Sequence, residues 1–155
     1  MAGSLTPPTA LLDASALYGP TNRRELQQAA MTGLFAGFWS PWIVEELARN
    51  LTTGYYRTRT YSTATRRILS ALSKRMMVLL IASFATVDPK PPFPDTWSAA
   101  DPGDDHVWAA AVAAGVTYVV SENTHHFPPR AESGRHEWEG ITYVTLAASF
   151  SLVSL

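Results

Sequence analysis

Asp13, Glu46 and Asp104 lie in three separate and differently patterned segments, LLDASALY, SPWIVEELARNL and DPGDDHVWAAAVAAG, each of which places a carboxylate at a strand end or on a helix. Acids scattered in sequence and gathered at one edge of a parallel sheet make an oxygen-only site, which suits Mg²⁺ or Mn²⁺ better than a metal that wants thiolate or imidazole. The chemistry expected of such a site is phosphodiester hydrolysis. Carboxylates brought together repel one another until a cation neutralises them, and the same cation activates water and screens the phosphate, so no protein nucleophile is required.

Each acid has a plainer role when taken alone. Asp104 suits a helix N-cap, Glu46 a solvated helix face and Asp13 a turn. The histidines His106, His125 and His126 do not make a zinc site, because two of them are adjacent, no HExxH spacing occurs and cysteine is absent. His106 is expected to pack beneath a helix start. Trp39, Trp42 and Trp108 are expected at helix positions, in the core or at a dimer interface. A phosphatase with an aspartyl nucleophile is disfavoured, since no Asp-x-Asp pair follows the first apolar run.

The elements that must position these acids belong to one domain, residues 1–155, since 155 residues that are 46% hydrophobic supply one core and little more. The lack of cysteine fits a reducing compartment, so the expected location is the cytoplasm. MAGSLTPPTALLDAS has no basic stretch of the kind that opens a signal peptide, and MMVLLIASFATV is short of the roughly 20 residues that span a bilayer. Net charge is −1, yet seven of the twelve Lys and Arg residues fall between Arg49 and Arg75, and no acid lies between Glu46 and Asp88. Arg49, Arg57, Arg59, Arg66 and Arg67, interleaved with Tyr55, Tyr56 and Tyr61, form a basic block suited to RNA phosphates and bases.

Strand and helix patterns alternate. TALLDASALY reads as a buried strand ending at Asp13. A helix follows, capped by Thr21 or Asn22, with Leu26, Ala29, Ala30 and Leu34 on one face and Gly37 at its close. Ser40-Pro41 reads as N-cap and first position of a second helix with Ile43, Leu47 and Leu51 buried. One or two helices are expected from Tyr61 to Leu80, then a strand within LLIASFATV. PKPPFPDTWSAADPG, with its prolines, reads as a surface loop. An Ala-rich helix from Asp104 to Ala114, the strand VTYVVS, an edge strand in EGITYVTLAASF and a tail SLVSL complete the chain. The alternation predicts a parallel α/β sheet whose strand ends carry Asp13 and the Ser121-Glu122-Asn123 turn.

These residues together resemble PIN-domain ribonucleases. LLDASALY looks like that family's opening strand. WSPWIVEELARNL is similar to its second motif, a helix-starting Ser followed six positions later by a Glu, here Ser40 and Glu46. DPGDDHVWAAAVAAGVTYVVSENTHHFP resembles its third block over its whole length. The resemblance implies a three-layer α/β/α sandwich around a central parallel sheet, with Asp13, Glu46 and Asp104 as the metal-binding acids and Mg²⁺ or Mn²⁺ as cofactor. The fourth catalytic position falls on Asn123, and His126 stands where an Asp often precedes the Phe. Losing that charge weakens a second metal, which Asp105 or Asp101 could offset, while Ser15 and Ser121 match small hydroxyl positions that orient ligands. It further implies an RNA substrate cut to a 5′-phosphate and a 3′-hydroxyl, the toxin role of a toxin–antitoxin pair with an antitoxin partner, and a homodimer. For the homodimer, WSPW and ITYVTLAASFSLVSL offer the apolar surface.

Overall fold

Four short apolar runs, each followed within a few residues by a helix or a turn, make the frame of the protein. In the computed structural model, which describes residues 6–53, 62–97 and 102–153, they are β1 (Thr9–Leu12), β2 (Ala36–Trp39), β4 (Tyr118–Val120) and β6 (Ile141–Val144). Two-residue strands β3 (Ala85–Thr86) and β5 (Glu137–Trp138) complete a six-stranded sheet in the order β3-β2-β1-β4-β6-β5. All pairings are parallel except β5 with β6. The predicted parallel sheet thus gains an antiparallel edge, and EGITYV supplies an interior strand, because the short turn at Glu139-Gly140, both with positive φ, folds β5 back onto it. Helices α1 (Pro20–Met31), α2 (Pro41–Thr53), α3 (Thr63–Ser83), α4 (Asp105–Ala114) and α5 (Leu146–Val153) join or flank the strands. Among the described residues, no helix is long and apolar enough to cross a membrane.

β1 is central, and its Leu11 and Leu12 are fully buried, as a strand covered on both faces requires. Its chain order matters more. From β1 the chain moves outward through β2 to β3, then returns to the other side of β1 for β4 and β6. The reversal creates a crevice between the carboxyl ends of β1 and β4, where ligands bind in open α/β sheets.

Ser40 Oγ accepts the Ile43 amide at 3.3 Å and Pro41 is the first residue of α2, with Ile43, Leu47 and Leu51 buried as expected. Helix α1, however, is capped by Gly19 with Pro20 in its first turn, so Thr21 and Asn22 lie inside it. It stops at Met31, and Leu34 is exposed beyond it. Gly37 ends no helix. It sits in β2, where a Cβ would come within 2.5 Å of the Phe84 ring. We expect Gly37→Ala to cost about 1–3 kcal/mol by overpacking, read as a lower urea midpoint at unchanged m-value.

Trp39 belongs to β2 rather than to a helix and is buried against Phe84, ring centroids 5.3 Å apart. Most of LLIASFATV continues α3, leaving only Ala85–Thr86 as strand. The expected C-terminal tail begins as part of α5. The proline-rich loop is largely exposed, yet Trp97 within it is buried among Trp108, Trp138 and Tyr143, all in edge contact with it. In α4, Ala109, Ala110 and Ala111 are buried, so a smooth helix face lies close on the sheet, and Gly115 with φ of 64° closes the helix in the left-handed conformation.

Candidate active site

β1 and β4 run side by side with Leu12 opposite Val120, so Asp13 and Ser121 are the first residues past two adjacent strand ends. The Asp13 amide continues the ladder to the Val120 carbonyl at 3.0 Å. The Asp13 carboxylate is buried and accepts three hydrogen bonds. Its Oδ1 accepts the Ala14 amide at 2.9 Å, and its Oδ2 accepts hydroxyl protons from Ser15 and Ser121, both at 2.8 Å. The same two hydroxyls accept backbone amides, Ser15 from Glu122 at 3.0 Å and Ser121 from Asn123 at 3.1 Å. Two serines thereby tie the turn after β1 to the turn after β4 and fix the acid between them.

Asp104 occupies the N-cap position of α4 but makes no side-chain cap hydrogen bond. Its Oδ2 instead meets His126 Nδ1. Asp13, Asp104, Ser121, Asn123 and His126 line one small pocket, walled by Trp97, Trp108 and Tyr143. Burial raises the Tyr143 phenol far above its ordinary pKa, and the charges of Asp13 and Asp104 raise it further. The phenol therefore stays neutral at the edge of an anionic pocket. Because the unfolded chain releases this proton at the ordinary phenol pKa, the stabilisation is complete below that value and is lost as pH rises through it towards the folded value. Tyr143→Phe should accordingly flatten the alkaline loss of stability, measured by urea unfolding between pH 9 and 11.

Glu46 lies on α2 and accepts the Tyr18 hydroxyl at 3.0 Å. Burial raises the Tyr18 pKa, followed by the Glu46 hydrogen bond and the charges of Glu46 and Asp13, while Arg49 opposes the shift. Tyr18 thus stands in the field of both acids. Glu46 is not part of the Asp13–Asp104 pocket wall, and among the described residues no three His, Asp or Glu side chains gather closely enough to hold a metal ion.

The remaining predicted residues are more dispersed. Asp105 opens α4 and is not in the pocket wall. Asp101, Arg57 and Arg59 lie outside the described residues, as does the Arg66 side chain. Arg49 is exposed and pairs with Glu45 at 3.8 Å, and Arg67 is exposed on α3. His106 does pack at the helix start, stacked on Trp42 with centroids 5.5 Å apart, but Trp42 itself is 51% exposed and is not core. Tyr18, Tyr143 and the buried Arg23 escaped the sequence reading. Tyr18 stands within LLDASALY, five residues after Asp13, but nothing local shows that α2 will cross it. Arg23 donates Nη1 to the Leu17 and Tyr18 carbonyls at 2.8 and 2.9 Å and so holds the Tyr18 backbone.

A family model described as the PIN domain matches residues 9–125, most of the chain and all of the pocket acids. The chain belongs to the PIN-domain family. Its fold is also that of a PIN-like α/β/α sandwich, and it is similar to the crystal structure of PAE2754 from Pyrobaculum aerophilum. The TM-score is 0.59 at 15% identity, over 99% of this chain and 94% of that one, a likeness of fold. No curated protein matches it. PIN domains are generally nucleases and typically use divalent metals. In this PIN domain's pocket the two carboxylates, the Asn123 amide and the Ser121 hydroxyl offer hard oxygen ligands of the kind Mg²⁺ and Mn²⁺ take, and the His126 imidazole, which engages Asp104, adds a nitrogen.

Proposed function

We propose that this PIN-domain chain is a metal-dependent endoribonuclease, hydrolysing RNA to 5′-phosphate and 3′-hydroxyl ends, and that it serves as the toxin of a toxin–antitoxin pair. The observation that carries the nuclease reading is that Asp13 and Asp104, 91 positions apart in the sequence, line one pocket at the strand-order reversal. Asp13, Asp104 and Asn123 are the pocket residues that would hold Mg²⁺ or Mn²⁺, and Glu46, the third acid of the proposed metal set, stands outside the pocket wall on α2, where it accepts the Tyr18 hydroxyl. The bound ion would supply an activated water and neutralise charge on the scissile phosphate. Ser15 and Ser121 keep Asp13 oriented. Tyr143 presents a neutral hydroxyl, and Trp97 and Trp108 exclude bulk water, which strengthens every charge interaction inside. The toxin role rests on compact size within the family, with an antitoxin as partner. Purified protein incubated with structured and single-stranded RNAs in Mg²⁺, Mn²⁺ or EDTA, beside Asp104→Asn, tests the reading.

A second reading is a catalytically degenerate PIN module that binds RNA or protein. Two observations favour it: His126 engages an Asp104 oxygen, and Asn123 brings no charge. Absence of cleavage with retained RNA binding would select it.

A homodimer belongs to the same proposal, with a changed surface. Ile141, Tyr143 and Leu146 are buried, as β6 is interior to the sheet, so these three residues of ITYVTLAASFSLVSL do not contribute exposed apolar surface. Trp42 of WSPW and Ile68, Leu72, Val78 and Leu79 on α3 are each more than half exposed and offer apolar surface for the dimer.

A further inference from the structure

The turn Thr124–His126 has two working sides. A 3-10 turn repeats every three residues, so Asn123 and His126 point one way and Thr124 and Phe127 another. The first pair lines the acid pocket; the second lines a separate groove of about 440 Å³ between the loop 128–136, β6 and α5. Tyr143 lines both. The groove's charged residues are Arg130 and Arg135; Thr124, Thr145 and Ser151 line it with them, and none of its described lining residues is acidic.

The loop that carries the two cations is closed on itself. Arg130 Nη1 donates to the Gly134 carbonyl at 2.7 Å, and the Arg130 and His136 backbones form an antiparallel bridge. The His136 ring bonds the Pro128 carbonyl at 2.8 Å through Nδ1 and meets the Phe127 ring edge-on, centroids 5.5 Å apart. A closed hairpin thus puts two arginines on the wall of a groove that also carries hydroxyls and is separated from the acid pocket by a single turn. A hydroxyl-rich, cationic groove of this size takes a phosphate-bearing ligand of about one nucleotide.

We propose that this groove holds the phosphodiester backbone of single-stranded RNA next to the bond presented to the acid pocket, with Arg130 and Arg135 contacting phosphates. The inference rests on reading the acid pocket as the cleavage site. It locates RNA contacts outside the basic block of residues 49–75, on a loop whose two arginines the sequence separates by only a Glu-containing turn.

The test is fluorescence anisotropy of a labelled single-stranded 12-mer RNA on full-length Asp104→Asn protein, which isolates binding from cleavage. Arg130→Gln with Arg135→Gln should weaken binding at least tenfold at low salt and reduce the slope of log K against log salt by about 1.4, which is 0.7 for each lost phosphate contact. Arg130→Lys with Arg135→Lys should retain most of both. Arg135→Glu alone is the second variant, since the Arg135 side chain takes no part in closing the loop, and thermal melts verify folding. Unchanged affinity and slope in folded variants overturn the inference, as does poly-glutamate competing as well as unlabelled RNA, which would make the groove a site for acidic polypeptide. Wild-type cleavage is measured separately. Metal-dependent cleavage with no binding effect sinks the groove alone, and a binding effect without any cleavage sinks the nuclease reading while the groove stands.

Discussion

Asp104→Asn is expected to lower metal-dependent RNA cleavage by about 10²- to 10³-fold or more, the scale on which removing one preorganised electrostatic group acts. The substitution keeps the size and shape of the side chain and removes one negative charge from the pocket. Asp104 stands at the N-cap of α4 without making a side-chain cap bond, so the stability cost is limited to the loss of its pair with His126 and of a negative charge at a helix N-terminus, about 1 kcal/mol or less each. A second readout separates a ligand role from a structural one. Asp104 is one of the two charges that raise the Tyr143 phenol, so that phenol should titrate at lower pH in the variant, seen by ultraviolet absorbance. Calorimetric titration with Mn²⁺ should show weakened binding. Cleavage at the wild-type rate in Asp104→Asn, with the phenol shift present, would mean that the pocket exists and does not catalyse.

How far the sequence carried the reading depends on the range over which each feature is encoded. Asp13 and Ser121 were legible because each directly follows a run of buried residues, and adjacent parallel strands in register bring their ends together without further information. The start of α2 was legible because Ser40-Pro41 is a local signal with a local effect. The strand β2 was not, because Gly37 reads as a helix stop until Phe84, almost fifty residues later, is known to press against it. Length misled at α3 as well: an apolar run of strand-like residues continued an existing helix, and only two residues after it found a partner in β2. Asp104 was assigned to the site by motif, while its partner His126 arrives from another turn. The groove of Arg130 and Arg135 is of the same kind, since its walls come from β4, β6, α5 and a loop.

Arg23 shows how such a non-local contact governs the site, and Arg23→Met should cost about 2–4 kcal/mol of stability, lowering Tm by roughly 10 °C for a domain of this size. The side chain is only 4% exposed. Its guanidinium donates to the Leu17 and Tyr18 carbonyls, at the end of the 3-10 turn Ala14–Leu17 that carries Asp13 at its head. Its Nη2 also reaches Met76 Sδ on α3 at 3.2 Å. One planar group therefore joins α1, α3 and the turn after β1. Methionine fills much of the volume and leaves two carbonyls without this donor, each costing about 1–3 kcal/mol if it stays dry. Lysine restores the charge but not the fork, so Arg23→Lys should fall between the two in a urea titration. The effect should reach catalysis through Tyr18. Once its backbone is released, its hydroxyl no longer holds Glu46 at 3.0 Å, and cleavage should fall further in Arg23→Met than in Tyr18→Phe, which removes only that hydroxyl. Equal stability in Arg23→Met and wild type would show that solvent reaches both carbonyls. Equal cleavage in the two, at a temperature where both are folded, would remove Arg23 from the set of groups that position the acids.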